Sequence, residues 1–153
     1  MAFQHKHNSG FTLLEMMIGA MILIVALVGI IAAYTGCFTL NETARNLTIA
    51  INGCQEKLEE IRNESFGQIF ANYNSTTFEV AGLSNSDSEG VVEVNNTNPD
   101  LLRISVTICW QQKGGRIFGE DSDLDGALDA GEDVNGNDQL DSPAKLVTLI
   151  ARR

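Results

Sequence analysis

A run of acidic residues near the C-terminus has the spacing most typical of metal binding in this chain. It reads EDSDLDGALDAGEDVNGNDQLDSP over residues 120–143. Its first half follows D-x-D-x-D-G-x-x-D-x-x-E, in which alternate residues point inward around a cation that prefers about six to eight oxygen ligands. Gly126 permits the sharp turn inside such a loop. The expected calcium (Ca²⁺) ligands are Asp121, Asp123, Asp125, Ala127 through its carbonyl, Asp129 and Glu132.

A second and weaker copy of this spacing follows at once. Asp138 stands where a glycine is usual, and Ala144 stands where the last ligand would be. A second calcium ion would therefore need shared ligands. The alternative for the whole stretch is a solvated acidic loop, because so many carboxylates without a cation repel one another. The expected oxygen donors of the second copy are Asp133, Asn135, Asn137 and Asp141.

Predicted strands flank this acidic insert and must position it. Apolar and polar residues alternate from Leu102 to Gln111, which predicts a half-buried strand with Trp110 facing the core and Cys109 on the outer face. The KGG turn and Arg116–Phe118 predict a return strand, and KLVTLIARR predicts the last strand. The flanks are not the two helices of an EF-hand, so we expect a calcium-stapled hairpin insert that projects from the sheet.

A long helix is predicted to pack on this sheet. Apolar residues recur at spacings of three and four before residue 62, which is typical of an amphipathic helix ending near Phe66. Residues 67–100 are rich in Asn, Ser, Thr and Gly and are expected to be a variable loop region with a short strand at Val91–Val94. The apolar stripe consists of Ala44, Leu47, Ile51, Cys54, Leu58 and Ile61.

The same helix is predicted to begin in a membrane-length apolar run. From Phe11 to Ala33 the only polar residues are Thr12 and Glu15, and about 20 such residues cross a bilayer core. A cleaved secretory signal has a shorter apolar core with its small residue after it, whereas Gly10 precedes this run. An ordinary signal anchor fits the length but leaves Glu15 unexplained, because a charge in the bilayer is costly and usually functional.

The stretch SGFTLLE followed by the apolar run resembles the class III signal of type IV pilins and type II secretion pseudopilins. That resemblance implies cleavage by prepilin peptidase between Gly10 and Phe11 and N-methylation of Phe11. It also implies that Glu15 pairs with the N-terminal amine of a neighbouring subunit during assembly. Physically, pairing offsets much of the cost of burying both charges among apolar helices.

A looser resemblance concerns the end of the helix and the central strand. CQEKLEEIR and RISVTICW are similar to the corresponding segments of PilV-like minor pilins and I-type minor pseudopilins.

Composition excludes some classes of function. The net charge of −10 argues against binding of nucleic acid through a basic patch. Three cysteines leave at least one thiol unpaired, and their spacing fits no zinc site. Cys54 and Cys109 are predicted to face opposite sides of the sheet, which argues against a bond between them. Both histidines precede residue 8, and no nucleophile–base pair is identifiable, so we do not expect an enzyme.

Together these patterns predict an α+β, type IV pilin-like chain. The expected organisation is a cleaved leader over 1–10, a transmembrane or filament-core helix over 11–33, and a head over 34–153 with a calcium loop at 120–142. The expected function is a structural filament subunit, with a calcium-dependent adhesin or substrate-recognition tip as the alternative. The resemblance implies an inner-membrane protein with a cytoplasmic N-terminus that contacts lipid, the peptidase, the assembly platform and other subunits, and finally a periplasmic or extracellular filament.

Overall fold

The computed structural model describes residues 10–84 and 86–152. The chain divides into two compact units, of which the first ends at Asn41 and the second begins at Glu42. Helix α1, Leu13–Arg62, contributes to both. The second unit adds another helix and one antiparallel sheet, which confirms the predicted α+β class.

Helix α1 begins with a side-chain cap that the sequence analysis did not identify. The Oγ1 atom of Thr12 accepts a hydrogen bond from the Glu15 backbone amide at 3.2 Å. This bond satisfies one of the first amides of the helix, which have no partner inside it. A threonine with a glutamate three positions later is the spacing of a capping box. Thr12 therefore fixes Glu15 in the first turn, where the helix dipole favours a negative charge.

The first unit presents an apolar surface without cover. Every residue from Gly10 to Asn41 is exposed within the chain. By length and composition α1 is able to cross a membrane. Because water solvates such a surface poorly, it favours an apolar environment.

The second half of α1 packs against the sheet along a line shifted from the predicted stripe. Leu47 and Ile51 are half-buried at its margin, and Ala44 is exposed, so its placement in the stripe was wrong. Small residues let the helix approach closely: a Cβ atom added at Gly53 would lie 3.2 Å from side chains of Ile108 and Val80. The buried line consists of Asn46, Ala50, Cys54, Leu58 and Ile61.

The helix ends earlier than expected and a second helix follows it. Helix α1 stops at Arg62, and α2 spans Phe66–Tyr73 after a short turn. Ile69 is buried and anchors α2 to the core. The predicted end near Phe66 therefore merged two helices, because the turn between them contains neither glycine nor proline.

Five strands form the sheet in the order β1-β2-β3-β4, with β5 also paired to β3. All neighbours are antiparallel. The predicted central, return and last strands are confirmed. The region 67–100 is not a loop region with one short strand, because it contains most of α2, all of β1 and the long β2, within which the predicted strand Val91–Val94 lies. The strands are β1 Thr76–Phe78, β2 Ser88–Asn98, β3 Leu101–Gln112, β4 Arg116–Phe118 and β5 Ala144–Ala151.

One face of the sheet forms the main core with α1. Alternate residues of β3 from Leu102 to Trp110 are buried there, as the alternation predicted. Trp110 stacks on Phe118 with ring centroids 5.1 Å apart. Gly90 leaves space for Phe78, whose ring would lie 2.5 Å from a Cβ atom added at that glycine. The opposite face, here called the outer face, carries the acidic insert.

Candidate functional site

The acidic insert interrupts what would otherwise be one return strand. Phe118, the last residue of β4, pairs with Trp110, and Ala144, the first residue of β5, pairs with Ile108. Since β2 already occupies one edge of β3, both strands lie along the other edge. The chain thus leaves the sheet and returns to it on either side of Cys109, and residues 119–143 form the insert.

Three leucines hold the insert on the sheet. Leu140 is buried with Val91 and Cys109, and Leu124 and Leu128 pack against this cluster. The insert therefore lies on the outer face, whereas the sequence suggested a loop that projects from the sheet. It also buries Cys109, which is 1% exposed although it was correctly placed on the outer face.

The first half of the insert folds around Asp121. This carboxylate is fully buried and accepts hydrogen bonds from the backbone amides of Asp125 at 3.2 Å and Gly126 at 2.9 Å. Burial raises the pKa of Asp121, while the amides of the turn oppose that rise and the nearby charge of Glu132 adds to it. A buried carboxylate beside another carboxylate is the arrangement that a bound cation would stabilise.

The five predicted carboxylate ligands of this half form two overlapping groups of three. Single carboxylate oxygens of Asp121, Asp123 and Glu132 lie within 4.8 Å of one another, and those of Asp123, Asp125 and Asp129 do the same. Separations of this size allow oxygens to share one ion, since calcium–oxygen bonds are about 2.3–2.6 Å long. Asp123 belongs to both groups and therefore links them.

Glu132 closes the first half of the insert. Its carboxylate accepts hydrogen bonds from the Ser122 amide at 2.8 Å, the Ser122 hydroxyl at 2.8 Å and the Asp129 amide at 3.0 Å. These donors, the Asp129 amide foremost, lower the pKa of Glu132. Ala127 donates its amide to Asp125 Oδ1 at 2.8 Å, so Asp125 also shapes the turn.

The second half repeats the first in conformation. Asp133 accepts the amides of Gly136, Asn137 and Asp138 at 2.7, 3.1 and 2.9 Å, much as Asp121 accepts those of its own turn. These amides, that of Asp138 foremost, lower the pKa of Asp133. Leu140 corresponds to Leu128, and both enter the apolar cluster.

Backbone angles support this correspondence. Leu124 and Gly126 have φ of 59° and 84°, and their counterparts Gly136 and Asp138 have φ of 71° and 55°. The glycine expected at the sixth position of the second half is replaced by an aspartate in the same left-handed conformation, which aspartate tolerates better than most residues.

Glu120 belongs to the second half, although the sequence analysis did not select it. Asn135 Nδ2 donates to Glu120 Oε1 at 3.2 Å and to Asp141 Oδ2 at 2.9 Å, and the Asp141 amide donates to Glu120 Oε2 at 3.2 Å. Glu120 thus supplies the carboxylate that Ala144 lacks. The signal was a repeat of E-D-x-x-x-x-x-x-L-D, at 120–129 and again at 132–141, in which the glutamate that precedes each half contacts the other half.

Lys145 partly neutralises the second half. Its ammonium lies 2.6 Å from Asp141 Oδ1 and also donates to the Leu140 carbonyl at 2.9 Å. Hydrogen bonds from Lys145 first, then from Asn135 and Asn137, lower the pKa of Asp141 to about 2. The second half therefore already contains a positive group, whereas the described contacts of the first half include no lysine or arginine.

The three cysteines are all unpaired, in agreement with their odd number and predicted faces. Burial raises the pKa of Cys54 to about 12, with a further contribution from Cys109. Burial also raises the pKa of Cys109 to about 11, although the backbone amides of Asp121 and Glu120 act in the opposite direction. Neither buried thiol is therefore activated as a nucleophile.

The residues of the predicted assembly element lie together at the start of the first unit. Gly10 and Phe11 precede α1, and Glu15 lies in its first turn. All three are exposed, so they are free to contact groups outside this chain.

Comparison with known families identifies this segment. The family described as "Prokaryotic N-terminal methylation motif" matches residues 5–31, which include Gly10, Phe11, Glu15 and much of the apolar run. No curated protein and no solved structure is significantly similar to the chain. The chain therefore carries the N-terminal signal of type IV pilin-like proteins, and that signal supports its assignment as a pilin-like or pseudopilin-like subunit.

Proposed function

We propose that this chain is a minor subunit of a type IV pilus or of a type II secretion filament. The observation that carries this proposal is the methylation motif over residues 5–31, joined to an apolar helix that continues into the head. The role is structural, and the segments CQEKLEEIR and RISVTICW resemble those of PilV-like minor pilins and I-type minor pseudopilins.

Processing and membrane insertion come first in the proposed sequence of events. Lys6 precedes the apolar run, which favours a cytoplasmic N-terminus in the inner membrane. Prepilin peptidase then cuts between Gly10 and Phe11. Extraction from lipid by the assembly platform places the apolar helix among those of other subunits, in a periplasmic or extracellular filament.

Glu15 is proposed to fix the axial position of the subunit during that step. The Thr12 cap holds its backbone in the first turn, so its carboxylate occupies a fixed height on the helix. Packing among apolar helices removes water from this carboxylate, and an unpaired charge there would be costly. The N-terminal amine of a neighbouring subunit supplies the opposite charge only in one register.

Calcium is proposed to bind in the first half of the insert. The supporting observation is two overlapping groups of carboxylates, Asp121, Asp123 and Glu132 in one and Asp123, Asp125 and Asp129 in the other, of which the first contains the buried Asp121. Ala127 would add its carbonyl. A bound ion would offset the repulsion among these charges and would stabilise the folded insert by mass action.

A second calcium would use Asp133, Asn135, Asn137 and Asp141 together with Glu120. In the structure Asn135 and Asn137 donate hydrogen bonds from their amide nitrogens to Asp141, and Lys145 binds the same carboxylate. A second ion would have to displace the lysine and rotate both amides. The first half therefore binds calcium more tightly than the second.

Photo-cross-linking tests the filament proposal. A photoreactive amino acid in place of Met21, on the exposed apolar helix, is expected to cross-link the chain to another subunit that carries the same motif. The matched control adds Gly10→Glu, which blocks processing and should leave the chain in the inner membrane with no subunit adduct. Equal adducts from both chains, or no subunit adduct from the processed chain, would contradict the proposal.

A further inference from the structure

The thiol of Cys109 is covered by the insert. A Cβ atom added at Gly119 would lie 2.3 Å from the Cys109 sulfur and 3.3 Å from Ser142 Cβ, so both ends of the insert meet at this thiol. Leu140 packs beside it, and the backbone amides of Glu120 and Asp121 interact with the sulfur. Removal of the insert from the sheet would therefore expose Cys109.

The contacts that attach the insert are separate from the main core. Leu124, Leu128 and Leu140 belong to the small cluster on the outer face, whereas α1 and the inner face form the other cluster. Two side-chain hydrogen bonds add to the attachment, from Thr107 to the Leu140 carbonyl at 3.5 Å and from Ser142 to the Ile108 carbonyl. These contacts are all on the outer face, whereas α1 packs on the inner face.

The thiol of Cys54 is a probe for opening of the main core. It is fully buried on the inner face, where its sulfur lies 3.4 Å from the Ala144 carbonyl and 3.6 Å from the Val106 carbonyl. Its exposure requires separation of α1 from the sheet. The chain therefore contains one thiol for each of its two apolar clusters.

We propose that the insert is a hinged cover on the outer face of the sheet, and that bound calcium holds it closed. Opening moves both ends of the insert, Gly119 and Ser142 included, away from the Cys109 thiol that they cover when it is closed. The part that concerns calcium rests on the proposed site around Asp121. Opening exposes Val91 and Cys109 while the main core remains folded.

Opening would add apolar side chains to those that the outer face already exposes. Val147 and Leu149 lie on the same outer face and are 47% and 61% exposed. Val91 and Cys109 would join them when the insert leaves the sheet.

The population of the open state should depend on the calcium concentration in a defined way. An ion that binds only the closed state lowers the population of the open state by the factor 1 + [Ca²⁺]/Kd. At a calcium concentration 100 times Kd, opening is expected to fall by about 100-fold. The labelling rate of Cys109 should fall in proportion when opening limits access to the thiol.

Thiol labelling of the full chain in detergent micelles tests this cover. Cys37→Ser removes the exposed thiol from every sample, and N-ethylmaleimide adducts at Cys54 and Cys109 are counted by peptide mass spectrometry. EGTA is expected to raise the labelling rate of Cys109 by tenfold or more while Cys54 remains protected. Equal increases at both thiols would overturn the proposal, because they would show opening of the whole head.

A pair of variants tests the cover without calcium removal. Leu128→Asp places a charge in the apolar cluster and is expected to speed Cys109 labelling about tenfold in saturating calcium. Val134→Asp makes the same change at an insert residue that is 84% exposed, and should have no effect. Equal rates of Cys109 labelling in the two variants would contradict the proposal that the insert covers this thiol.

Calorimetric titration with calcium separates this inference from the proposed site. Binding without any change in Cys109 labelling would overturn calcium control while the site stands. A titration with no heat of binding would overturn the site and calcium control together.

Discussion

Replacement of Glu15 with alanine is expected to lower incorporation of the chain into filaments by about 100-fold or more. The variant removes one partner of a charge pair that is buried among apolar helices, which typically costs about 3–5 kcal/mol. Each 1.4 kcal/mol corresponds to about tenfold in an association constant. The measurement is the amount of chain in sheared filaments or in subunit cross-links, relative to the amount in the membrane.

Two controls separate assembly from membrane insertion in this experiment. Glu15→Ala should insert into the membrane at least as well as the parent chain, because it removes a charge from the apolar run. Glu42→Gln also removes a carboxylate from α1, but outside that run, and should assemble normally. If Glu15→Ala entered filaments at the parental level, the pairing role would be wrong.

Replacement of Asp121 with alanine is expected to cause the largest loss of stability among the acidic residues of the insert. The variant removes the buried acceptor of the Asp125 and Gly126 amides, and a buried donor left without a partner costs about 1–3 kcal/mol. It also removes a proposed calcium ligand, and an ion at 100 times Kd contributes about 2.7 kcal/mol. Together these losses should lower Tm by on the order of 10 °C.

Asp123→Ala is the matched comparison for that experiment. Asp123 is exposed and shares the proposed site, so its loss should remove the calcium-dependent part of the stability alone. Melting of the full chain in micelles is followed by scanning calorimetry, which detects unfolding of the insert as well as of the main core. If calcium and EGTA gave the same Tm for the parent chain, the calcium proposal would fail.

The regular elements of the fold were predictable because their patterns are local. The alternation of apolar and polar residues along β3 indicates directly which side chains lie on the inner and outer faces of the strand. The spacing of Cys54, Leu58 and Ile61 indicates one face of a helix. Strand β2 was only partly recognised, because Asn95 to Asn98 are polar on both faces where the strand extends beyond the head core. Helix α2 is short and was missed, although Ser65 and Gln68 have the S-x-x-Q spacing of a helix start; the Ser65 side chain makes no cap hydrogen bond.

Features that depend on distant residues could not be obtained from local patterns. The burial of Cys109 results from leucines that follow it by more than fourteen positions and fold back over the outer face. Ala44 fits the helical period but was wrongly placed in the buried stripe of α1. The line along which α1 contacts the sheet depends on which small residues allow the two to approach closely. Glu120 was missed because each half of the insert was treated as a separate loop, although the two halves exchange their glutamates.

The most direct test of the account is the N-terminus of the chain recovered from membranes and from filaments. Peptide mass spectrometry of the full-length product is expected to find Phe11 as the first residue, carrying one added methyl group on its amine. This result would show that the motif over residues 5–31 acts as a processing signal and leaves Glu15 in the first turn of the mature helix. Recovery of the chain with residues 1–10 still attached would contradict the proposed function.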